Sequence, residues 1–306
     1  MKIENLAMPP FNTTLMGVLK GVLDYYHVDV NNAMAFGASG HAFLINIHKQ
    51  LCPSGPYCWN YTGFHRLIGN LGLQMTDLGF HSPSNSKDDR AAVEQRVREA
   101  LDKGIPCSLC NLENQMITGY DDEAFFTTQP WAPNVDFPPA RLSFGSWKEF
   151  GGQFHVNFYT FKKLERADDR VTILDSLDYA VDLYTNPSKH TGKDYGIGPD
   201  AYRNWMAAAK EYGSSHGNWW NATVWWECRC MASEYFGEIS RMYDDVSKSA
   251  VELGKAYADI AGILGRLRDK AMAAGEKTEL LERCESKEAE AIERVASLAA
   301  SLRAAL

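Results

Sequence analysis

The sequence lacks the features that direct a protein across or into a membrane. No basic segment followed by an apolar one stands at the N-terminus, so we expect no signal peptide. No run of about 18 apolar residues is present, so we expect no membrane span. The cysteine count of seven is odd, which makes reduced thiols the default. A cytoplasmic location without a membrane partner is therefore expected.

Positive charge is also scarce. The 306 residues carry a formal net charge of −8, with a pI near 5.5, which argues against a nucleic-acid partner. Internal repeats and low-complexity tracts are missing as well. Hydrophobic residues at 45% allow a sizeable core. The length suits one large domain or two ordinary ones.

The sequence contains no convincing set of ligands for a metal ion. Cys107-Ser-Leu-Cys110 has the spacing of a zinc knuckle, but the second pair, Cys228-Arg-Cys230, is one residue too close. Buried thiols are therefore the favoured interpretation. His41 and His48 have no carboxylate between them at ligand spacing. We expect neither a metal nor another cofactor.

Residue spacing predicts helices followed by an antiparallel sheet and then further helices. Helices are predicted over 12–27, 40–51, 64–71 and 87–103, and strands over 73–79, 105–111, 115–120, 124–128 and 154–161. Residues 130–153 have the proline and glycine content of a loop. From about Thr172 the pattern is helical, with a break predicted at Gly275. This order indicates an α+β fold rather than a doubly wound α/β fold.

The stretch Phe36–Asn60 is the first candidate for a reactive site. Small residues at Ser39 and Gly40 precede the helix predicted over 40–51. A helix N-terminus directs backbone N–H groups and the positive end of the helix dipole at one place. Ser39 is thus either a nucleophile or a helix N-cap, and His41 is either a catalytic group or a half-buried histidine.

Four motifs carry a resemblance to a known family: MAFGASGHAFLINI, GIPCSLC, ITGYDDEAFF and GIGPDAYRNWMAAAKEY. Over roughly residues 10–240 the chain resembles the papain-like C39-type peptidase superfamily, and within it the BtrH-type N-terminal domain of butirosin biosynthesis. The resemblance implies a papain-like α+β domain over 1–165 and a helical C-terminal region over 166–306. It also implies acyl transfer or amide hydrolysis on a peptide or amino-acyl substrate.

The resemblance also assigns positions to a catalytic set. Such proteins use a Cys at a helix N-terminus, a His before the Gly-Tyr-Asp-Asp strand and an Asp or Asn on the next strand. One alignment puts Thr14 at the cysteine position and another puts Ser39 there. The histidine position falls on Glu113, or on Asn114 after a shift, and the third position falls near Gln129. The resemblance therefore implies the fold more strongly than the activity.

One hypothesis is a degenerate family member that binds a small peptide or amino-acyl ligand without cleaving it. Three adjacent polar residues enter a predicted strand at Glu113, and alternation turns at least one of them inward. Asn114, Gln115, Tyr120 and Gln129 are the ligand-binding candidates. The four tryptophans within 219–226 either line an aromatic pocket or belong to a helical core.

Two other functions stay open. An active acyltransferase or amide hydrolase would use Ser39 or Thr14 as nucleophile, with His41 and Glu113 as acid or base. Alternatively, the chain is a scaffold that forms homo-oligomers through its C-terminal helices.

Overall fold

The computed structural model describes residues 1–304 and has an α+β fold, as the sequence predicts. These residues form two compact units. Unit 1 consists of Met1–Val30 and Gly72–Arg166, and unit 2 consists of Asn31–Leu71 and the chain from Ala167 onward. The sequence-based boundary at 165 groups residues 31–71 with the N-terminal residues, whereas the compact units group them with the C-terminal helices.

Unit 1 is built on a six-stranded antiparallel sheet. In pairing order, its strands are β2 (Leu73–His81), β7 (Val156–Lys163), β3 (Cys107–Asn111), β4 (Glu113–Tyr120), β5 (Ala124–Thr127) and β6 (Arg141–Ser143). Helix α1 (Thr14–Tyr25) packs against β4, and helix α4 (Lys87–Asp102) packs against β2, β3 and β7. The predicted strands are all present. The loop predicted over 130–153 also contains β6, whose buried Leu142 pairs with Phe125; a strand of three residues is too short to show alternation.

Unit 2 is mostly helical. Its elements are α2 (Asn32–Ala38), β1 (Asn46–His48), α3 (Thr62–Asn70), α5 (Asp169–Thr185), β8 (Tyr195–Ile197), α6 (Pro199–Tyr212), α7 (His216–Met242), α8 (Ser247–Arg266) and α9 (Ala274–Ala304). Strands β1 and β8 pair antiparallel, and α9 packs against α5, α6 and α8. Within residues 1–304, no helix combines the length and the apolarity needed to cross a membrane.

The break between the last two helices lies before Gly275, not at it. Residues 267–273 connect α8 to α9, and Gly275 is the second residue of α9. Asp269 Oδ1 accepts a hydrogen bond from the N–H of Ala271 over 2.8 Å. This local turn reverses the chain through an aspartate, which is why the glycine was a misleading signal.

The helix predicted over 40–51 is absent. A 3-10 helix, His41–Phe43, and then β1 lie in this segment instead. Helix α2 ends at Ala38 with Ser39 as its C-cap, and the next residue, Gly40, has a φ of +76°, in the left-handed region. A Cβ atom at this position would collide with the ring of Tyr179, so the turn requires glycine.

A buried ion pair connects three helices of unit 2 to the 3-10 segment. Arg229 on α7 is fully buried, and its Nη2 lies 2.7 Å from Oε1 of Glu288 on α9. The hydroxyl of Tyr202 on α6 donates to the other oxygen of Glu288. Arg229 Nη1 donates to the carbonyl oxygens of Ala42 and Leu44, each over 2.8 Å. The carbonyl oxygens of Ala42 and Leu44 are therefore hydrogen-bonded although the segment is not an α-helix.

The tryptophan-rich segment of α7 contributes to the core. Trp220 and Trp225 are buried. Trp226 lies under the guanidinium group of Arg268, which is 4.8 Å from the ring centroid. The cation covers the aromatic face that the core leaves exposed.

The substitution Glu288→Gln is expected to lower the free energy of unfolding by about 3–5 kcal/mol, because it leaves the Arg229 charge buried without a counter-charge. Urea denaturation followed by circular dichroism measures the change. Lys287→Gln is the matched control: Lys287 lies beside Glu288 but forms an exposed pair with Asp259. Its effect is expected to stay within about 0.5 kcal/mol. Equal stabilities of the two variants would contradict the role given to the pair.

Candidate functional site

Thr14 and Glu113 are in direct contact in unit 1. The Thr14 hydroxyl donates to Glu113 Oε2 over 2.8 Å, although the two residues are 99 positions apart. Thr14 Oγ1 in turn accepts a hydrogen bond from the backbone N–H of Asn114 over 3.0 Å, and Asn114 Nδ2 lies 3.5 Å from Thr14 Oγ1. The alignment that puts Thr14 at the nucleophile position and Glu113 at the base position therefore names two side chains that touch.

Two local features bring these side chains together. Helix α1 approaches β4 closely at Gly21, where a Cβ atom would lie 2.7 Å from Met116 Sδ. Strand β4 follows β3 after a single residue, Leu112, whose φ is +63°. Asn111 pairs with Glu113 across this tight turn, so Glu113 is the first residue of β4. Its carboxylate there meets Thr14, the first residue of α1.

Burial limits what this cluster can do. Thr14, Glu113 and Asn114 are 1%, 6% and 2% exposed. The N-terminus of α1 provides a favourable field for the Glu113 carboxylate. A threonine hydroxyl has one proton to donate and two lone pairs to accept with. Here the Thr14 proton is directed at Glu113, and the backbone N–H and the side-chain amide of Asn114 are directed at Thr14 Oγ1.

Gln115 and Gln129 brace the proline-rich loop rather than join Thr14. Gln115 Nε2 donates to the carbonyls of Thr128 and Pro139 over 2.6 and 2.8 Å. Gln129 Nε2 donates to the carbonyl of Pro138 over 2.9 Å. Gln115 Oε1 is buried and has no hydrogen-bond partner among the described residues. The two glutamines therefore fix the loop that follows β5.

Tyr120 lies at the other end of β4. Seven residues separate it from Glu113, which corresponds to about 24 Å along a strand. Its hydroxyl donates to Asp102 Oδ1 over 2.8 Å, and this hydrogen bond raises the pKa of Tyr120. Tyr120 is thus remote from the Thr14 cluster.

Ser39 and His41 belong to unit 2, whereas Thr14 and Glu113 belong to unit 1. The prediction that a helix begins after Ser39 is wrong, since Ser39 is the C-cap of α2. Its hydroxyl donates to the carbonyl of Phe36 over 3.1 Å. The C-terminal end of a helix carries the negative end of the dipole, which does not activate a nucleophile.

His41 is enclosed by aromatic rings. It is 1% exposed, and Cys228 Sγ lies 3.6 Å from its Nδ1. Its ring contacts the aromatic side chains of Phe36, Trp59, Phe64 and Trp225. Burial, with a smaller contribution from the charge of Arg229, lowers its pKa from 6.5 to about 3. The imidazole is therefore neutral at physiological pH, and its surroundings resemble a core position more than an accessible base.

Sequence reasoning missed an open cleft of about 490 Å³ in unit 2. The residues that form its walls include Tyr57, Trp59, Asn60, Lys189, Thr191 and Tyr195. The aromatic run after Pro56 was a visible signal for one wall. No signal in the sequence indicated the facing wall, because that wall comes from a distant part of the chain: Lys189 is 129 positions after Asn60.

Comparisons with known proteins do not identify a function for this chain, so a function must be argued from the geometry of the structure. No protein-family model matches the chain, and no curated protein matches it. Within residues 1–304, no group of three or more His, Cys, Asp or Glu side chains could hold a metal ion. The Thr14 cluster and the cleft are thus the features from which a function can be argued.

The substitution Thr14→Val is expected to lower the free energy of unfolding by about 1–3 kcal/mol, because Glu113 and the N–H of Asn114 lose a buried partner. Thr14→Ser keeps the hydroxyl and is expected to cost less. Equilibrium unfolding of the two variants measures the difference. If Thr14→Val were as stable as Thr14→Ser, the hydroxyl would have no structural role.

The His41 imidazole is expected to remain neutral between pH 5 and 8 in an NMR titration. In the unfolded chain its pKa is near 6.5, so between about 6.5 and 3 the unfolded state binds a proton that the folded state does not. The free energy of unfolding should therefore fall as the pH is lowered through this window. His41→Gln should weaken this dependence, whereas substitution of the exposed His216 should not. A His41 signal that titrates near its ordinary pKa would contradict the buried neutral state.

Proposed function

We propose that this chain is a papain-like protein that has lost peptidase chemistry and binds a small peptide or amino-acyl ligand without cleaving it. The contact between Thr14 and Glu113 carries the proposal. Thr14 begins helix α1 and Glu113 begins strand β4. In the alignment from the sequence, these two residues take the cysteine and histidine positions of the resembling families. The hydrogen bond between Thr14 and Glu113 supports this correspondence, and neither residue type is the one that a cysteine peptidase uses.

The chemistry of the pair argues against cleavage. A hydroxyl needs a stronger base than a thiol does, because its free pKa is far higher. The base must also return the proton to the leaving group, a task suited to a group that titrates near neutral pH. The Thr14 oxygen already accepts from the backbone N–H of Asn114 over 3.0 Å. A lone pair used in this way is not free to attack a carbonyl carbon.

An active acyltransferase or amide hydrolase is the second candidate. Its support is the 2.8 Å distance between Thr14 Oγ1 and Glu113 Oε2, which is within the range for proton transfer. In that case Thr14 would be the nucleophile and Glu113 the base. Homo-oligomer formation through α8 and α9 stays a prediction from the sequence.

An acylation assay separates binding from catalysis. The full chain is incubated with p-nitrophenyl acetate and with N-acetyl-phenylalanine p-nitroanilide, and the intact mass is recorded. We expect no acyl adduct on Thr14, and no p-nitroaniline release above that of Thr14→Val, because Thr14 is buried and its oxygen already accepts from the N–H of Asn114. Ser39→Ala is the matched control for the hydroxyl in unit 2.

An adduct on Thr14 would contradict the non-catalytic proposal and favour the enzyme. Since Thr14→Val is expected to reduce stability, two further variants keep the test decisive. Glu113→Gln should abolish adduct formation if Glu113 is the base. Thr14→Ser should retain it, because a serine hydroxyl is also a nucleophile.

A further inference from the structure

The cleft of unit 2 has the size of a small-molecule site. Its volume is about 490 Å³, and ligand pockets commonly enclose about 300–1,000 Å³. One wall comes from residues 57–60, between β1 and α3, and the other from residues 189–195, leading into β8. Both walls belong to the same compact unit.

Hydrogen bonds hold the two walls in place. The backbone N–H of Asn60 donates to the carbonyl of His190 over 2.7 Å, and Asn60 Nδ2 donates to the carbonyl of Lys189 over 3.1 Å. The hydroxyl of Thr191 donates to Asn46 Oδ1 over 3.0 Å. A ligand would therefore bind walls that are already ordered, which reduces the entropy cost of binding.

The walls carry aromatic surface. Tyr57, Trp59 and Tyr195 all line the cleft. Two contacts hold the Trp59 side chain in place. Its ring stacks on Tyr61 with centroids 4.1 Å apart, and its Nε1 donates to the carbonyl of Pro56 over 3.0 Å. Fixed aromatic rings favour a planar apolar group placed edge-on or offset against them.

The charge of the cleft is positive. Lys189 is the one ionised side chain among the described lining residues, which include no carboxylate. Its Nζ lies 3.9 Å from Asp182 Oδ1, at the outer limit of an ion pair. That carboxylate already accepts from Asn186 Nδ2 over 2.7 Å and lies 2.9 Å from His190 Nε2. The ammonium group of Lys189 therefore keeps donors for an anion in the cleft.

We infer that this cleft is the ligand site and that it takes a small amino-acyl molecule with an aromatic side chain and a free carboxylate. The aromatic ring packs against Tyr57, Trp59 and Tyr195, and the carboxylate pairs with Lys189. The amino-acyl class rests on the proposed function. The preference for a ring and a negative charge rests on the cleft alone.

Three probes test each part of this inference on the full chain. N-acetyl-L-phenylalanine carries both the ring and the carboxylate. N-acetyl-L-phenylalaninamide lacks the charge, and N-acetyl-L-alanine lacks the ring. Titration calorimetry and saturation-transfer NMR should give saturable binding of the first probe. The amide should bind about three- to tenfold more weakly, since an ion pair with an exposed lysine contributes little binding free energy.

Two substitutions locate the binding. Lys189→Gln should remove the difference between the acid and the amide, whereas Lys193→Gln should not, because Lys193 is an exposed lysine of the same loop that does not line the cleft. Tyr57→Ser should weaken both phenylalanine probes. Folding of each variant is checked by circular dichroism.

The inference fails if N-acetyl-L-phenylalanine shows no saturable binding at millimolar concentration, or if the amide binds as well as the acid. It also fails if Lys189→Gln and Lys193→Gln have the same effect. These failures are separate from failure of the proposed function, which an acyl adduct on Thr14 reveals. Thr14 lies in unit 1, so Thr14→Ser should bind the probe like the unaltered chain.

Discussion

The buried guanidinium group of Arg229 determines the arrangement of much of unit 2. Moving an unpaired charge into a protein interior costs several kcal/mol, so the guanidinium group needs a counter-charge. Burial opposes the charged form, but the carboxylate of Glu288 outweighs it and raises the pKa of Arg229 above its ordinary value. The remaining contacts go to the carbonyls of Ala42 and Leu44. One cation thus fixes α7, α9 and the loop after α2 with respect to each other.

This constraint extends to the wall of the cleft. Because Arg229 holds Ala42 and Leu44, the neighbouring His41 is confined within its aromatic surroundings. The His41 ring meets Trp59 edge-on, with centroids 5.8 Å apart, and Trp59 is part of the cleft wall. The neutral, buried His41 adds no charge to this wall at physiological pH. The preference of the cleft for an anion therefore depends on Lys189 rather than on His41.

The same interaction explains where the sequence misled. Helix α1 and the strands could be predicted, because their apolar spacing matches one face of each element and neighbouring elements cover that face. The segment 40–51 also contains apolar residues at helical spacing. These side chains are buried in the structure, although the backbone does not form an α-helix. The donor that replaces helical hydrogen bonds at Ala42 lies 187 positions later. Residue spacing carries no information about such a partner, and the facing wall of the cleft was missed for the same reason.

The Thr14 cluster was reached by alignment rather than by spacing, and its polarity is reversed relative to a cysteine peptidase. In such an enzyme the positive end of a helix dipole stabilises a thiolate, and the base beside it carries the proton. Here the group at the helix N-terminus is the donor, and Glu113 is the acceptor. The helix field then favours negative charge on the strand instead of on the nucleophile. The pair therefore joins helix and strand by a hydrogen bond, without placing on the hydroxyl the negative charge that would attack a carbonyl.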